Sequence, residues 1–487
     1  MEKRLYKKQP TYLEALFAVL SMIIIIAVGY VGFKIRFEIL MILSATVVSV
    51  QAMRFGYKWS DIEEAISAKM MQATPVILIM WSIGIVIAAL MFSGTIPYVI
   101  YLGLKVINPQ YFYAASFLLC VIMSVATGTS WGSAGTAGIA MMGVSAGLGL
   151  SPQITAASVV CGVIVGDKVS PLSDSTNFAP MCAGTGLYDH IKSMMWTTIP
   201  AAIITLIYFY ILGRNINAGD GLPQIAMDMI TQLENIYKMN PIIILPFLLI
   251  VAAALLKFPP VPTMLGASLV AIIIGGLVHG FNIVNGLNAC VNGFTYSMIY
   301  SGELSGNLAT LLNRGGMRGM VGIVIIIYCG YTYISVVNKT GSLEIALKPL
   351  VSKVKNKVSL TIATLLTTFF GAAVSGSAFP GHLIAAEIFK KSYIDQGLQM
   401  KVLSRTLEDA GTILVAIVPW GASGMFYFET LGVPIFGSLG YAQYALNVYL
   451  NPLMAVILAI TGIGMFKMTS EEQKQELEKW KNEREKN

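Results

Sequence analysis

Apolar runs of about 20 residues, each long enough to cross a bilayer core of about 30 Å as a helix, recur along the whole chain and limit its folds more than any other feature. They fall near 13–33, 36–53, 75–92, 154–186 with a break, and 195–213, then near 241–257, 262–280, 320–338, 404–430 with a break, and 441–467. With 56% hydrophobic and 12% charged residues and a mean hydropathy of +0.72, the chain has too few polar groups to cover a soluble globule. The expectation is an all-α polytopic membrane protein with about 10 transmembrane helices. The basic start at 1–8 precedes an apolar run longer than a signal-peptide core, ending in Lys34, Ile35 and Arg36 rather than in small residues. It reads as a retained first span. The net charge of +7 suits cytoplasmic loops facing anionic lipid, so the bilayer is the expected partner and nucleic acid is not. Cys120, Cys161, Cys182, Cys290 and Cys329 lie in apolar or small-residue surroundings with no CxxC pair, which suits inert packing.

One stretch departs from this pattern. Residues 123–186 are crowded with Gly, Ser, Thr, Asn and Asp, and the 22 residues from 128 to 149 hold seven glycines. In hydrocarbon every backbone N–H and C=O must be paired, so broken helix at membrane depth persists only where it is buried in protein or lines a watery site. A similar apolar segment containing Gly and Ser lies between the third and fourth spans of each set, at 111–149 and 359–397. Both read as hairpins that enter and leave on one side.

The two sets of spans correspond. Ser93-Gly94-Thr95 matches Thr340-Gly341-Ser342, Gly128-Thr129-Ser130 matches Ser375-Gly376-Ser377, and Pro171 matches Pro419. Gly56 matches Gly280 at a shorter offset because an insertion, including 302–319, precedes the third span of the second set. Loop charge indicates that the repeats are inverted. Residues 94–109 carry one basic residue, Lys105, whereas 339–357 carry Lys339, Lys348, Lys353, Lys355 and Lys357, which places the first loop outside and the second inside. The expected organisation is a first repeat at 1–213 with hairpin 111–149 and broken helix 154–186, and an extracytoplasmic linker at 214–240. A second repeat at 241–467 has hairpin 359–397 and broken helix 404–430. The cytoplasmic tail at 468–487 is rich in Glu and Lys, as a solvated helix would be. Both termini are then cytoplasmic. Internal repeats interrupted at corresponding places point to a secondary transporter and its substrate site.

The chemistry concentrates at the interruptions. The run from Gly166 to Asn177 reads GDKVSPLSDSTN, and Pro171 in its middle removes a backbone donor and breaks the helix. Freed carbonyls with the oxygens of Asp167, Ser170, Ser173, Asp174, Thr176 and Asn177 would supply hard ligands for a small cation, with Asp174 and Asn177 the first choices as Na⁺ ligands. Asp167 and Asp174 are the only acidic residues between Glu64 and Asp189, and a carboxylate at this depth is a functional candidate by default. Such a group can exchange a proton for Na⁺, so no cofactor is expected beyond Na⁺ as coupling ion. The bland reading is an Asp167–Lys168 ion pair, with Lys168 structural. At the hairpin tips Thr129, Ser130 and Ser133 face Ser375, Ser377 and His382 as substrate-binding candidates, completed by Glu408, Asp409, Thr412 and Ser423 around the second break. One of Glu408 and Asp409 is expected to pair with Arg405, and His190, beside Lys192, to be solvated. Asn313-Arg314-Gly315-Gly316 would contact an anion or cap a helix.

Other function classes lack their signatures. GxSxG occurs at 128–132 and at 143–147, but without the α/β sheet that a nucleophile elbow needs. No HExxH and no GxxxxGK[ST] occurs, which leaves a metalloenzyme or an ATP-driven pump unsupported. A channel would need a continuous polar pore rather than two interrupted sites. The chain is expected not to be an enzyme.

These residues resemble the NhaC family of sodium/proton antiporters, within the wider ion-transporter superfamily. The resemblance rests on TGTSWGSAGTAG at 127–138, GDKVSPLSDSTN at 166–177, NRGG at 313–316, LSR at 403–405, GT at 411–412 and PW at 419–420. It implies two re-entrant hairpins, two broken helices, a scaffold of further helices, and a homodimer moving substrate by an elevator motion in the bacterial inner membrane. It also implies Na⁺/H⁺ exchange, with a branch that exchanges malate and protons for lactate and Na⁺. A small organic carboxylate or an amino acid is therefore the alternative cargo. After Pro419-Trp420 the chain continues Gly421-Ala422-Ser423, less polar than the run expected of the carboxylate-exchanging branch.

Overall fold

The computed structural model describes residues 8–216, 223–256 and 258–485. The basic start at 1–7, residues 217–222 of the expected linker, and 486–487 of the tail lie outside them. The protein is an all-α polytopic membrane protein. Among the described residues eight helices are long and apolar enough to cross a bilayer, or up to 11 if each of three bent pairs forms one span. Their outward faces are apolar. On the helix Leu187–Arg214, Ile199, Ile203, Ile207 and Ile211 are exposed at i, i+4 spacing, a stripe that suits lipid rather than water.

Two long helices form the centre of the scaffold. Trp59–Phe92 is 34 residues long, about 51 Å at 1.5 Å per residue, so it starts well before the span expected at 75–92 and outruns the hydrocarbon. The polar turns from Trp59 to Thr74 continue the helix, and Pro75 is accommodated inside it. It packs against Val321–Thr340, and each of the two carries a further neighbour, Pro260–Ile274 on the first and Phe37–Arg54 on the second.

Beside this scaffold the two halves present the same sequence of parts. Phe112–Thr127 turns at Gly128 into a second arm running to Gly147, and Lys357–Ser375 turns at Gly376 into Ala378–Asp395. Gly128 (φ +67°) and Gly376 (φ +69°) both adopt the left-handed conformation that lets a helix stop and reverse without a Cβ penalty. Each hairpin is followed by a bent helix pair. Pro152–Val169 and Asp174–Ala183 meet at 50°, and 400–417 meets Ala422–Leu431 at 44°. Pro171 and Pro419 fall in the two gaps.

Glycine brings hairpin and broken helix together. A Cβ on Gly162 would lie 2.5 Å from the Phe117 carbonyl oxygen, and one on Gly166 would lie 2.4 Å from that of Val121. This spacing of four lets the two backbones touch. The Ser124 hydroxyl donates across the contact to the Val163 carbonyl at 2.6 Å. In the second half the hairpin arms themselves meet this way, a Cβ on Gly381 lying 2.4 Å from the Thr368 carbonyl.

Two of the expected segments carry further structure. The linker expected at 214–240 contains an amphipathic helix, Gln224–Ile236, which buries Ala226, Met229 and Leu233 and is bent 96° from the helix that follows. Its apolar residues recur at helical spacing, which outweighs the polar composition. The tail forms the expected, largely exposed helix Ser470–Glu485, anchored where the Gln473 amide donates to the Ile394 carbonyl at 2.6 Å and, just before it, Met468 N donates to Gly397 O at 2.7 Å.

Candidate functional site

Four segments distant in sequence converge on one cavity of about 520 Å³. The first hairpin tip brings Thr127 to Trp131, the first break brings Asp167 and Pro171 to Ser175, the second tip brings Gly376 to Phe379, and the second break brings Thr412, Ala422, Ser423 and Tyr427. Scaffold residues Val76, Ile79, Phe258, Met264 and Tyr331 close the remaining wall. The breaks hold their shape through local bonds. Ala422 N donates to Gly376 O at 3.0 Å, and the Trp420 indole donates to Ala373 O at 2.7 Å.

Half of the residues singled out in the sequence line this cavity: Thr129, Ser130, Asp167, Ser173, Asp174, Ser377, Thr412 and Ser423. The Asp167 carboxylate stands beside Ser130 and Ser173, and Ser130 also stands beside the buried Tyr427 hydroxyl. Asp174 opens the helix Asp174–Ala183, where the exposed N–H groups and the helix dipole favour negative charge. No lysine, arginine or histidine is among the lining residues; Asp167 and Asp174 are the charged ones.

The other candidates serve the framework. Thr176 Oγ1 donates to the carbonyls of Asp167 (3.2 Å) and Lys168 (2.9 Å), and Asn177 Nδ2 to those of Pro171 (2.9 Å) and Ser173 (2.8 Å). The Ser170 hydroxyl donates to Val125 O at 2.9 Å and accepts from Leu172 N. These three satisfy or fix the backbone freed at the break. Ser133 Oγ is 2.8 Å from Thr127 Oγ1, and Ser375 Oγ donates to Ser377 O at 2.9 Å. His382 is fully buried against Gly411 and beside the Leu407 backbone, and Glu408 is fully buried beside Thr412; among the described residues neither the His382 ring nitrogens nor the Glu408 oxygens make a well-formed hydrogen bond.

Behind the cavity lies a polar network that sequence reasoning missed. Lys168 Nζ, with no exposed surface, pairs with Asp409 and donates to Asn451 Oδ1 at 2.9 Å. Thr197 Oγ1 donates to the same Asp409 oxygen at 2.8 Å. Asn451 Nδ2 in turn donates to Asn447 O at 3.0 Å. Two asparagines four residues apart in an apolar span were the available signal. Asp409 therefore pairs with Lys168, not Arg405, and Lys168 pairs across the two halves rather than with its neighbour Asp167. The Arg405 guanidinium donates to Gly464 O at 3.0 Å and Ser193 O at 3.5 Å. His190 is likewise buried rather than solvated, its Nδ1 2.6 Å from Ser404 Oγ. Arg314 acts as a cap, donating to the Thr430 carbonyl at 2.9 Å at the end of the helix Ala422–Leu431.

This arrangement defines a membrane carrier, a helical bundle in which paired hairpin tips and broken helices enclose an acidic cavity. Comparison with known sequences gives the family. The pattern of the Na⁺/H⁺ antiporter family matches residues 4–176 and 162–463, and the chain belongs to that family. It is 37% identical over 464 residues to an uncharacterized Na⁺/H⁺ antiporter of Haemophilus influenzae, covering 95% of this chain and 98% of the relative. It is 34% identical to the Na⁺/H⁺ antiporter NhaC of Alkalihalophilus pseudofirmus, covering 92% and 95%. With the malate-2H⁺/Na⁺-lactate antiporter of Bacillus subtilis it shares 30% identity, covering 93% and 95%.

Proposed function

We propose that the protein is a Na⁺/H⁺ antiporter whose cation site is the central cavity, with Asp167 and Asp174 as the exchanging carboxylates and the hydroxyls of Thr129, Ser130 and Ser173 as further oxygen ligands. The observation that carries this reading is the charge of the wall: two carboxylates and no lining cation, with buried Lys168 turned away to Asp409. Such a wall attracts a small cation. It disfavours the organic-anion or amino-acid alternative, because a substrate carboxylate would meet two carboxylates and no lining cation.

Exchange follows from competition. A carboxylate oxygen that holds a proton is a poor ligand for Na⁺, and a Na⁺-bound carboxylate is a poor base, so each ion displaces the other. Occupancy of one site by either ion, alternately open to the two sides, gives antiport without a further cofactor. The halves at 1–213 and 241–467 are read as inverted repeats, and the two hairpins with the two broken helices as the body that moves against the scaffold in an elevator-type step. The bacterial inner membrane, cytoplasmic termini and a homodimer complete the reading.

Proteoliposomes loaded with a pH-sensitive dye test it. A Na⁺ pulse, with no organic solute present, is expected to move protons in the wild type, and Asp174→Asn to lose the Na⁺ dependence while remaining folded. Full Na⁺-coupled transport by Asp174→Asn would sink the assignment. A requirement for added carboxylate or amino acid would favour the alternative cargo.

A further inference from the structure

Beyond the second hairpin tip lies another cavity, of about 960 Å³, lined by Glu64, Lys69, Lys339, Glu344 and Glu387 among others. Glu64 lies on the polar turns by which Trp59–Phe92 outruns the hydrocarbon, and the Glu64 and Lys339 side chains are 78% and 37% exposed, so this space is a vestibule open to the aqueous side. Its three carboxylates outnumber its two ammonium groups, and one of these, Lys339, lies 3.9 Å from Glu64. The local field therefore favours entry of cations.

The vestibule and the central cavity share one wall residue, Phe379. Phe178, which lines the vestibule, meets Phe379 edge to face with ring centroids 4.9 Å apart. Phe178 belongs to the first broken helix and Phe379 to the second hairpin, so their contact closes the seam between the two halves. Behind Phe178 stands the ring of buried His382, centroids 6.3 Å apart, which fixes one side of the pair. Phe379 itself is 37% exposed.

We propose that Phe178 and Phe379 form the apolar gate between the vestibule and the cation cavity, and that this gate keeps Na⁺ movement coupled to proton movement. The proposal rests on the cation-site reading above. A hydrated cation does not pass between two touching rings, because an apolar constriction dewets and offers no ligand to replace lost water. Through this seam the cavity carboxylates then meet the vestibule only when the Phe379 ring moves off Phe178. With the rings removed, Na⁺ has a path that bypasses the exchange step.

The test is a volume series at one position, Phe379→Leu, Phe379→Val and Phe379→Ala, with Phe178→Ala beside it, in proteoliposomes. Two rates are read, tracer Na⁺ efflux and Na⁺-driven proton movement. Tracer efflux without matching proton movement is expected to rise several-fold as the side chain at 379 shrinks, and in Phe178→Ala. A ratio that stays at the wild-type value through the series and in Phe178→Ala overturns the gate, and the Leu and Val variants decide this even if an Ala variant fails to fold. Wild-type exchange alongside fully coupled variants removes the gate alone, whereas a wild type without Na⁺-driven proton movement removes the cation-site reading and the gate with it.

Discussion

A lysine with no exposed surface, deep among apolar helices, is held there by its partners. Desolvating Lys168 and Asp409 costs each several kcal/mol, which their mutual attraction and the bonds from Asn451 and Thr197 offset. Removing one partner leaves the other buried and unpaired, so Lys168→Met is expected to destabilise the protein by about 3–5 kcal/mol. Combining it with Asp409→Leu should recover most of that loss, since an apolar pair of similar size carries no uncompensated charge. Thermal unfolding of the purified single and double variants checks this, and a double variant no more stable than the single would show that the pair is not the energetic unit. Sequence reasoning flagged both residues but paired them wrongly, because 241 positions separate them and adjacency along the chain suggested Asp167 and Arg405 instead.

The broken helices were legible because hydrocarbon penalises unpaired backbone, and the run GDKVSPLSDSTN has no other use in a span. Which of its polar side chains face the cavity was not. Ser173 and Asp174 reach it, whereas Thr176 and Asn177 are consumed by carbonyls that the break exposes and Ser170 donates to the Val125 carbonyl of the neighbouring helix. That division depends on a 50° bend and on where the chain turns after Pro171. The hairpin tip is placed against the break by the glycines at 162 and 166, where added side-chain atoms would strike the carbonyls of Phe117 and Val121. Gly162→Leu is therefore expected to cost about 1–3 kcal/mol through overpacking. By shifting Thr129 and Ser130 away from Asp167, it should also raise the Na⁺ concentration needed for half-maximal proton movement. An unchanged Na⁺ dependence would mean that the cavity does not rely on this contact.

Across the whole molecule, loop charge predicts that the two halves enter the membrane in opposite senses. Reporter fusions check this prediction. A fluorescent protein that matures only in the cytoplasm is expected to light up after residue 487, and alkaline phosphatase, active only outside, to work when fused near residue 224. Phosphatase activity at the C-terminus would reverse the assignment. The fold is consistent with paired halves. Gly94 and Gly341, Gly128 and Gly376, and Gly184 and Gly432 all end or begin helices in the left-handed region at corresponding positions.

By itself the sequence determined the membrane class, the reversals at Gly128 and Gly376, the breaks and the presence of two carboxylates at the first break, because each follows from local composition and from the cost of unpaired polar groups in hydrocarbon. Only the tertiary structure decided which partners meet: Lys168 with Asp409, Arg314 with the Thr430 carbonyl, His190 with Ser404, and Phe178 with Phe379. Those contacts join segments brought together by helix packing, and helix packing depends on the directions of side chains after a bend, which no spacing along one chain specifies.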